Sequence, residues 1–381
     1  MKILFISEYI NASGQGAYMV ANAHYKSFCD LFGKENIEVI SIKTRNNEEK
    51  KAKYIYIEGY RKKIDRLFNL IEGYPAFYSK SIDNFILEKV KTNKYDIIYF
   101  DNSYFGNIIK KIKKYNPSIP VIVFFHGIKG NSGRQIIKKN LLKPQIVLAN
   151  INNMRQEKKA TKYADKCIVL NKREENELEK YYNKRADLLL PVYYKDTAKI
   201  ENIKNNISEF RILFLGGNFW PNILGIKWFT KNVMPYVDKK AKLYIVGRGM
   251  EKLKKEKEFI NVKNVEVIGG TDDLDYWYNS SDIVVGPIFN GDGMKTKTAE
   301  ALMYGKLYIG TKEALCGYIG LEELCCNTDK EFIEKINEFI KMGVKKFDPE
   351  IRKLYDENYS VEAANKKIEK LINEMEIDNE K

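Results

Sequence analysis

The most restrictive feature of this 381-residue chain is the alternation of short apolar runs with longer amphipathic segments. Apolar runs of this length are typical of strands buried on both faces, and the amphipathic segments between them are typical of crossover helices. The runs expected to form strands are KILFIS, IEVISI, YDIIYF, VIVFFHG, KCIVLN, DLLLPV, RILFLGG, KLYIVG, VEVIG, DIVVGPI and KLYIGT. The pattern predicts the α/β class, with parallel sheets built from βαβ units.

A polar stretch near the middle of the chain indicates a domain boundary. The segment KDTAKIENIKNNISEF lacks clear periodicity, and RILFLGGNFW after it has the character of a new first strand. Each half begins with a strand that runs into a glycine-containing loop: Ser13, Gly14, Gln15 and Gly16 in the first half, and Gly216, Gly217 and Asn218 in the second. We therefore expect two Rossmann-like, doubly wound domains that face each other across a cleft and bind ligands beyond the carboxyl ends of their strands.

The expected layout has four parts. An N-terminal domain covers residues 1–195, a linker 196–208, a C-terminal domain 209–355, and a C-terminal helix that packs back on the N-terminal domain 356–381. The amphipathic segments DKEFIEKINEFIKMG and SVEAANKKIEKLINEME are predicted helices, the second with Ser360 as its N-cap and Glu362 in its first turn.

Composition excludes several classes of protein and site. The cysteines are odd in number and show no CxxC spacing, and His24 and His126 lie far apart, so a disulfide framework, a structural zinc site and a His-rich metal site are not expected. No apolar run approaches the length of a membrane-spanning helix, and the start MKILFISEYINASGQG is unlike a signal peptide. We expect an intracellular protein.

The net charge of +14 indicates an acidic partner, either nucleic acid, anionic lipid headgroups or a phosphorylated substrate. Basic residues cluster in YRKKIDRLF, NIIKKIKKYNPS and GRQIIKKNLLK, with apolar residues interleaved at helical spacing. This spacing suits a membrane surface better than a nucleic-acid groove, and no helix-turn-helix, RNP or zinc-finger signature is present. The alternative is a solvated face in a chain that is rich in lysine throughout, and both interpretations stay open.

The stretch GDGMKTKTAEALMYGKLYIGT places two lysines where a helix is expected to begin. Residues 294–304 form the predicted helix, with Gly305 as its C-cap and with Lys295 and Lys297 in the first turn. Cations are disfavoured at a helix N-terminus, whereas anions are stabilised there. Because the turn follows the strand DIVVGPI and a glycine-bounded loop, we predict that a diphosphate binds it.

Two acidic residues flank this turn. Glu300 shares a helix face with Thr296 and Lys297, and a carboxylate in that place could accept hydrogen bonds from the two hydroxyls of a ribose. The alternative is that Glu300 pairs with Lys297 on a wet surface. Asp292 is either a further site residue or simply a helix cap.

Several segments, in order along the chain, resemble the retaining GT-B glycosyltransferases of family 4, also called glycosyl transferases group 1. The resembling segments are ADKCIVLNKREENELEKYY leading to LLLPV, FLGGNFWPNILGIKWF, LYIVGRG, NVEVIGGTDDLDYWYNSSDIVVGPI and the two-lysine stretch. Asp292 and Glu300 have the spacing of the acidic pair of that family, with aspartate in place of the more usual glutamate at the first position. The resemblance covers most of the chain and is strongest over residues 210–320.

In the C-terminal domain the resemblance implies a nucleotide-sugar site. Glu300 would bind the donor ribose and Asp292 the hydroxyls of the transferred sugar. The diphosphate would be held by the turn itself, that is by Gly293, Met294, Lys295, Thr296 and Lys297. The nucleotide base and the leaving phosphate would be approached by Gly217, Asn218, Arg248, Ile268, Gly269 and Gly270.

In the N-terminal domain, the resemblance implies that Gly14 and Gly16 face the donor and that His126, in FFHG, lies beside the reacting sugar. The alternative for His126 is a buried histidine satisfied by its neighbours. The residues expected to be catalytic are Asp292, Glu300, Lys295 and His126. The loop GGNFWPNILG lacks the arginine and lysine that many members of the family place there, so Lys295 and Lys297 are expected to neutralise the leaving phosphates.

The activity that follows is transfer of a sugar from a nucleotide sugar to a saccharide or lipid-linked saccharide acceptor in surface polysaccharide biosynthesis. The resemblance implies retention of configuration, and we expect no metal and no cofactor because lysines and N–H groups supply the electrostatic stabilisation. The expected location is cytoplasmic and peripheral on the inner face of the cell membrane. Two alternatives remain, a non-catalytic GT-B-like binding protein and a nucleotide-sugar epimerase of the same architecture.

Overall fold

The computed structural model describes residues 1–11, 16–43, 53–59, 63–201, 209–260, 262–291 and 293–379. The chain divides into two compact units, which we call unit 1 (Met1–Pro191 with Ala364–Lys381) and unit 2 (Val192–Ala363). Among the described residues, none of the helices combines the length and the apolar composition that a bilayer crossing requires.

Among the described residues, the sheet of unit 1 has seven parallel strands in the order β3-β2-β1-β4-β5-β6-β7. These strands are β1 Ile3–Ser7, β2 Ile37–Lys43, β3 Ile55–Glu58, β4 Ile97–Phe100, β5 Val121–Phe125, β6 Lys166–Val169 and β7 Leu188–Leu189. The central strands β1, β4 and β5 are buried along their whole length, as expected of a parallel sheet covered on both faces.

The helices that precede residue 191 are α1 Gly16–Phe32, α2 Lys63–Ile71, α3 Lys80–Thr92, α4 Gly106–Tyr115, α5 Lys129–Lys139, α6 Pro144–Tyr163 and α7 Lys172–Tyr182. Short 3₁₀ helices cover Lys34–Asn36 and Ser103–Phe105. The buried faces of α3, α4 and α7 pack with the strands into one apolar core, to which α4 contributes Ile108, Ile109 and Ile112.

The described part of unit 2 contains a second parallel sheet, of five strands in the order β10-β9-β8-β11-β12. Its strands are β8 Phe210–Leu215, β9 Ala241–Val246, β10 Val265–Gly269, β11 Ile283–Gly286 and β12 Tyr308–Gly310. Its helices are α8 Trp220–Asn232, α9 Leu274–Ser280, α10 Thr296–Met303, α11 Asp329–Met342 and α12 Pro349–Asn358, with 3₁₀ turns at Met250–Lys255 and Glu322–Leu324. Helix α13, Val361–Asn379, begins in unit 2 and runs into unit 1.

The predicted α/β class with two parallel sheets is confirmed, and every apolar run expected to be a strand forms one. Strand β3 was not predicted. Its four residues are half-buried or exposed at the edge of the sheet, so the sequence IYIE carries no buried apolar run.

The predicted start of α13 is confirmed. The Ser360 hydroxyl accepts a hydrogen bond from the Ala363 N–H at 3.1 Å, and Glu362 lies in the first turn. Helix α11 begins with a capping box between Thr328 and Glu331 and ends at Gly343, whose φ is +69°.

The segment expected to be a linker is described up to residue 201, and residues 202–208 lie outside the described part of the chain. Its first residues form hydrogen bonds with α9. The Lys199 N–H donates to Asp275 at 3.1 Å, and the Asn279 side chain donates to the Lys199 carbonyl at 2.6 Å. This part of the segment is therefore attached to unit 2.

Helix α8 contacts the segment that follows β11 through Gly225. A Cβ atom at this position would lie 1.9 Å from the Pro287 carbonyl oxygen, a backbone atom that cannot move aside by rotating a side chain. The close approach fixes the start of the loop that leads from β11 to α10.

We expect Gly225→Ala to lower the melting temperature of unit 2 by roughly 4–8 °C, because relieving this clash costs about 2 kcal/mol. Gly16→Ala is the matched control, since a Cβ there meets no atom of the described residues within 4 Å. Differential scanning calorimetry of both variants measures the effect. Equal melting temperatures for the wild type and Gly225→Ala would show that the packing is looser than described.

Candidate functional site

The loop from β11 to α10 lies at the carboxyl edge of the sheet of unit 2. The helix begins at Thr296, two residues later than the predicted start at Met294, because Lys295 is extended (φ −88°, ψ 108°) and occupies the N-cap position. Gly293 has a φ of +64°, a left-handed conformation that favours glycine. Gly305 follows the helix with a φ of +61°, as its predicted role as a C-cap requires.

Both lysines of this turn are paired with carboxylates. The Lys295 ammonium donates to Glu313 at 2.7 Å and to the Gly293 carbonyl at 3.0 Å. The Lys297 ammonium donates to Glu300 at 2.7 Å. The two ion pairs neutralise the cations at the positive end of the helix, so the turn carries no excess charge in the ligand-free chain.

Glu300 is held from two sides. One of its oxygens, Oε2, accepts hydrogen bonds from Lys297 and, at 2.9 Å, from the hydroxyl of Tyr278. Burial raises the pKa of Tyr278, so this phenol stays protonated and remains a donor. The sequence left open whether Glu300 pairs with Lys297, and this ion pair is present in the structure. The pair holds the Glu300 carboxylate one turn into α10, where a ribose could compete with Lys297 for it.

Two further contacts hold the turn against the segment after β12. The Tyr318 hydroxyl donates to the Lys295 carbonyl at 2.7 Å, and the buried Thr298 hydroxyl donates to the Ala314 carbonyl at 3.0 Å. The sequence analysis missed Glu313, Tyr278 and Tyr318. Of these three, only Glu313 could have been found from the sequence, because it follows β12, the strand that pairs with β11 in the same direction.

The glycine loops after β8, β9 and β10 adjoin one another. The Asn218 N–H donates to the Arg248 carbonyl at 3.0 Å, and the Gly247 N–H donates to the Gly269 carbonyl at 2.7 Å. A Cβ at Gly270 would lie 3.3 Å from Cγ of Arg248. The structure therefore brings together the loops expected to hold the base and the leaving phosphate, namely those of Gly217, Asn218, Arg248, Ile268, Gly269 and Gly270.

The Arg248 guanidinium projects into solvent. It lies 3.9 Å from Asp272, and both side chains are almost fully exposed, so this pair contributes little to stability. The side chain can therefore turn towards an anion at low cost. Met294, by contrast, is buried, and only its backbone can take part in binding.

Two residues expected in the site, Asp292 and Gly14, lie outside the described residues. Gly16 begins α1, and a Cβ there would meet no described atom within 4 Å, so space alone does not require glycine at this position.

In unit 1 the buried Asp101 carboxylate lies between both histidines. Oδ2 is 3.5 Å from Nε2 of His126 and accepts a hydrogen bond from the Ser7 hydroxyl at 2.8 Å, while Oδ1 lies 3.2 Å from Nδ1 of His24. Burial raises the pKa of Asp101, but His126 and His24 outweigh it and hold that pKa below its ordinary value. Burial lowers the pKa of His24, which keeps this ring neutral.

The His126 ring is mostly buried, and aromatic rings pack around it. Tyr9 and Phe124 contact it edge-on with ring centroids 4.9 and 4.8 Å away. His126 therefore has the buried surroundings expected of a histidine that is satisfied by its neighbours. It also lies at the carboxyl end of β5, beside the ionised carboxylate of Asp101. Sequence reasoning found His126 but missed Asp101, which follows the neighbouring strand β4 directly.

A second buried acid, Glu8, follows β1. Burial raises the pKa of Glu8 to about 8, although hydrogen bonds from Tyr9 and Asn102 oppose this shift. The Asn102 side chain donates to Glu8 at 2.6 Å. Near neutral pH the carboxyl group is therefore mainly protonated and uncharged.

A third buried acid, Glu157 of α6, fixes the loop that carries His126. It accepts hydrogen bonds from the Lys129 N–H at 2.8 Å, the Tyr182 hydroxyl at 2.7 Å and the Ser103 hydroxyl at 3.0 Å. Burial raises the pKa of Glu157 to about 6. Because Lys129 begins α5, this carboxylate anchors the N-terminus of the helix that follows His126.

The elevated pKa of Glu8 predicts a dependence of stability on pH. The folded chain holds the proton up to about pH 8, whereas the unfolded chain releases it near the ordinary value of 4.5. This group therefore stabilises the fold below pH 4.5, and its contribution is lost as the pH rises to about 8.

We expect Glu8→Gln to be more stable than the wild type above pH 8 by on the order of 5 kcal/mol, and the difference to vanish near pH 4. Melting temperatures measured from pH 4 to 9 test this, with Glu72→Gln, an exposed glutamate of unit 1, as the control. Parallel curves for the wild type and Glu8→Gln would contradict the shift.

Comparison with known proteins places this geometry in context. Residues 209–342, which span the sheet of unit 2 and α11, match the model of the family described as Glycosyl transferases group 1. An uncharacterized 44.6 kDa protein in the cps region of Klebsiella pneumoniae is 24% identical over 328 residues, which cover 82% of this chain and 78% of that protein.

Solved structures match along almost the whole chain. The apo form of the lipopolysaccharide outer core galactosyltransferase WaaB superposes with a TM-score of 0.69 at 14% identity, over 98% of this chain and 99% of that one. The Anabaena protein Alr3699/HepE, solved in complex with UDP and glucose, superposes with a TM-score of 0.63 at 12% identity, over 98% of this chain and 99% of that one. The chain thus has the two-sheet α/β fold of GT-B glycosyltransferases, and its unit 2 contains the segment that matches the Glycosyl transferases group 1 family.

Proposed function

We propose that this protein is a glycosyltransferase that moves a sugar from a nucleotide sugar to a saccharide or lipid-linked saccharide in surface polysaccharide biosynthesis. The observation that carries the proposal is the turn at the start of α10, where Lys295, Lys297 and Glu300 lie within six residues of each other in the segment matched by the family model. The UDP complex of HepE and the activity named for WaaB support it.

In the proposed reaction the bond between the sugar and the donor diphosphate breaks while a bond to an acceptor hydroxyl oxygen forms. The leaving nucleotide diphosphate takes the bonding electron pair and the negative charge, and one of its oxygens accepts the proton that the acceptor hydroxyl loses. Lys295 and Lys297 stabilise that charge, together with the N–H groups at the start of α10. No metal is required in this scheme, and we propose that the configuration is retained.

A bound donor would have to replace the carboxylate partners of the two lysines. A diphosphate would draw Lys295 away from Glu313 and Lys297 away from Glu300. The ribose hydroxyls would then donate to Glu300 in place of the Lys297 ammonium, with Tyr278 still bound to the carboxylate. The ligand-free ion pairs keep these side chains at the turn, which lowers the entropic cost of binding.

Unit 1 would bind the acceptor, with His126 near the reacting sugar and Asp101 as a positioning residue that acts through the imidazole. A lipid-linked acceptor would require the protein to work at the cytoplasmic face of a membrane. The resemblance assigns Asp292, Gly14 and Gly16 to the same reaction, and these assignments remain predictions.

The test of donor binding is a thermal-shift screen against UDP, GDP, ADP and dTDP and their sugars. At a concentration of about 100 times Kd, a ligand that binds only the folded state adds about 2.7 kcal/mol, which corresponds to roughly 5–11 °C for unit 2. We expect one nucleotide class to give this rise and Glu300→Gln to remove most of it.

The matched control is Glu266→Gln, since Glu266 is also paired with a lysine of unit 2, Lys242 at 2.8 Å, but lies within strand β10 and away from the turn. It should keep the full thermal shift. A shift that survives in Glu300→Gln, or the absence of any shift in the folded protein, would refute the proposed donor site.

For the acceptor half, Asp101→Asn should lower kcat for sugar transfer by at least tenfold and leave the nucleotide-induced thermal shift intact, because the amide cannot stabilise a charged His126. Asp101→Glu separates this role from a structural one, since it keeps a carboxylate beside the imidazole and should recover part of the lost kcat. Unchanged kcat in Asp101→Asn would remove Asp101 from the reaction.

A further inference from the structure

Helix α2 of unit 1 presents its apolar stripe to solvent. Ile64, Leu67, Phe68 and Ile71 recur at the spacing that places side chains on one helix face. In a helix that packs on a core this face is buried, but here Ile64, Phe68 and Ile71 are 54%, 58% and 66% exposed to solvent with respect to the described residues. The stripe needs a partner outside the described fold.

The turn between α5 and α6 exposes a second apolar element beside α2. Leu141 and Leu142 are 69% and 97% exposed. A shallow groove is lined by Ile64 and Leu67 on one side and by Ile146, close behind the turn in α6, on the other. The stripe and the turn therefore belong to one surface of unit 1.

The same surface is cationic. Residues 129–156, which form α5, the turn after it and most of α6, contain four lysines and two arginines and no aspartate or glutamate. Lys138, Lys139 and Lys143 flank the leucine pair and are exposed, and Arg66 lies on α2. The acidic residues of this region are Asp65 within α2 and Glu72 just after it.

Helix α4, which contains the second of the three basic stretches, differs from this surface. Its apolar residues Ile108, Ile109 and Ile112 are fully buried in the core of unit 1. Its lysines Lys111 and Lys113 pair with Asp83 at 2.9 Å and with Asp165 at 2.8 Å. The solvated-face interpretation thus holds for α4 and does not hold for α2 and the leucine turn.

We infer that this surface, which we call the docking face, binds an anionic phospholipid bilayer. It comprises Ile64, Arg66, Leu67, Phe68, Ile71, Lys138, Lys139, Leu141, Leu142 and Lys143. The apolar side chains enter the interface between headgroups and acyl chains, and the cationic ones contact the headgroup phosphates. A second copy of the chain fits less well, because a twofold interface would bring the same lysines face to face.

The inference goes beyond the proposed function, since it involves no residue of the donor site. Its test is co-sedimentation of the purified full-length protein with vesicles of phosphatidylcholine and phosphatidylglycerol, compared with vesicles of phosphatidylcholine alone. The wild type should bind the anionic vesicles and lose binding as salt rises. Lys138→Gln/Lys139→Gln should weaken binding roughly fivefold per lysine, and Phe68→Asp/Leu142→Asp should weaken it at least tenfold.

Matched controls sit elsewhere on the chain. Lys110→Gln/Lys114→Gln removes two exposed lysines from α4, and Met342→Asp changes an exposed apolar residue, 71% accessible, at the end of α11 in unit 2. Both should bind vesicles as the wild type does. All of these variants alter exposed residues, so each should melt within a few degrees of the wild type.

Three results would overturn the inference: no binding of the wild type to anionic vesicles at low salt, equal binding by Phe68→Asp/Leu142→Asp and the wild type, or a lipid-free dimer in sedimentation velocity that the same double variant dissociates. Because vesicle binding requires no nucleotide sugar, Glu300→Gln should bind vesicles normally. The vesicle and thermal-shift experiments therefore distinguish an error in the proposed donor site from an error in the docking face.

Discussion

The parallel direction of the described strands is the constraint on which the rest of this structure depends. A parallel strand cannot be joined to its neighbour by a tight turn. The chain needs a longer crossover, usually a helix, and each loop that leaves a strand lies at the same edge of its sheet. In unit 2 this brings the loops after β8, β9, β10 and β11 to one edge. In unit 1 it collects Glu8, Asp101 and His126 at the ends of β1, β4 and β5. Residues separated by up to about a hundred positions thus become neighbours without any specific contact to attract them.

The lysines of the α10 turn are balanced by carboxylates. Cations at the positive end of a helix are destabilising, and Glu313 and Glu300 offset them in the ligand-free chain. Under the proposed function, the turn would exchange these carboxylates for phosphates when a donor binds. In unit 1 the groups concerned are buried acids. Burial raises the pKa values of Glu8 and Glu157, whereas Asp101 stays ionised because two histidines face it. Each unit therefore controls charge at its strand ends by burial and pairing.

The sequence predicted the α/β class, the two sheets and their strands well because buried parallel strands leave continuous apolar runs. It did not reveal β3, whose residues are half-exposed, nor the exact start of α10, which depends on the extended backbone of Lys295. Within the site, it located the lysines and Glu300 but not Glu313, Tyr278 or Asp101, since the contacts of these residues are set by strand order and not by local spacing. The sequence pattern did not distinguish the three basic stretches. In the structure, the apolar residues of α4 are buried, whereas those of α2 and of the leucine turn are exposed.

The central claim is that the carboxyl edge of the sheet in unit 2 binds the nucleotide diphosphate of a donor. Amide hydrogen exchange with and without UDP, read by mass spectrometry, tests this at the level of single loops. We expect slower exchange in peptides that cover residues 216–220, 247–251, 268–272 and 290–300, with the strongest effect in the last because its N–H groups would face the phosphates. Protection confined to other parts of the chain, or no change at a UDP concentration that stabilises the fold, would contradict it.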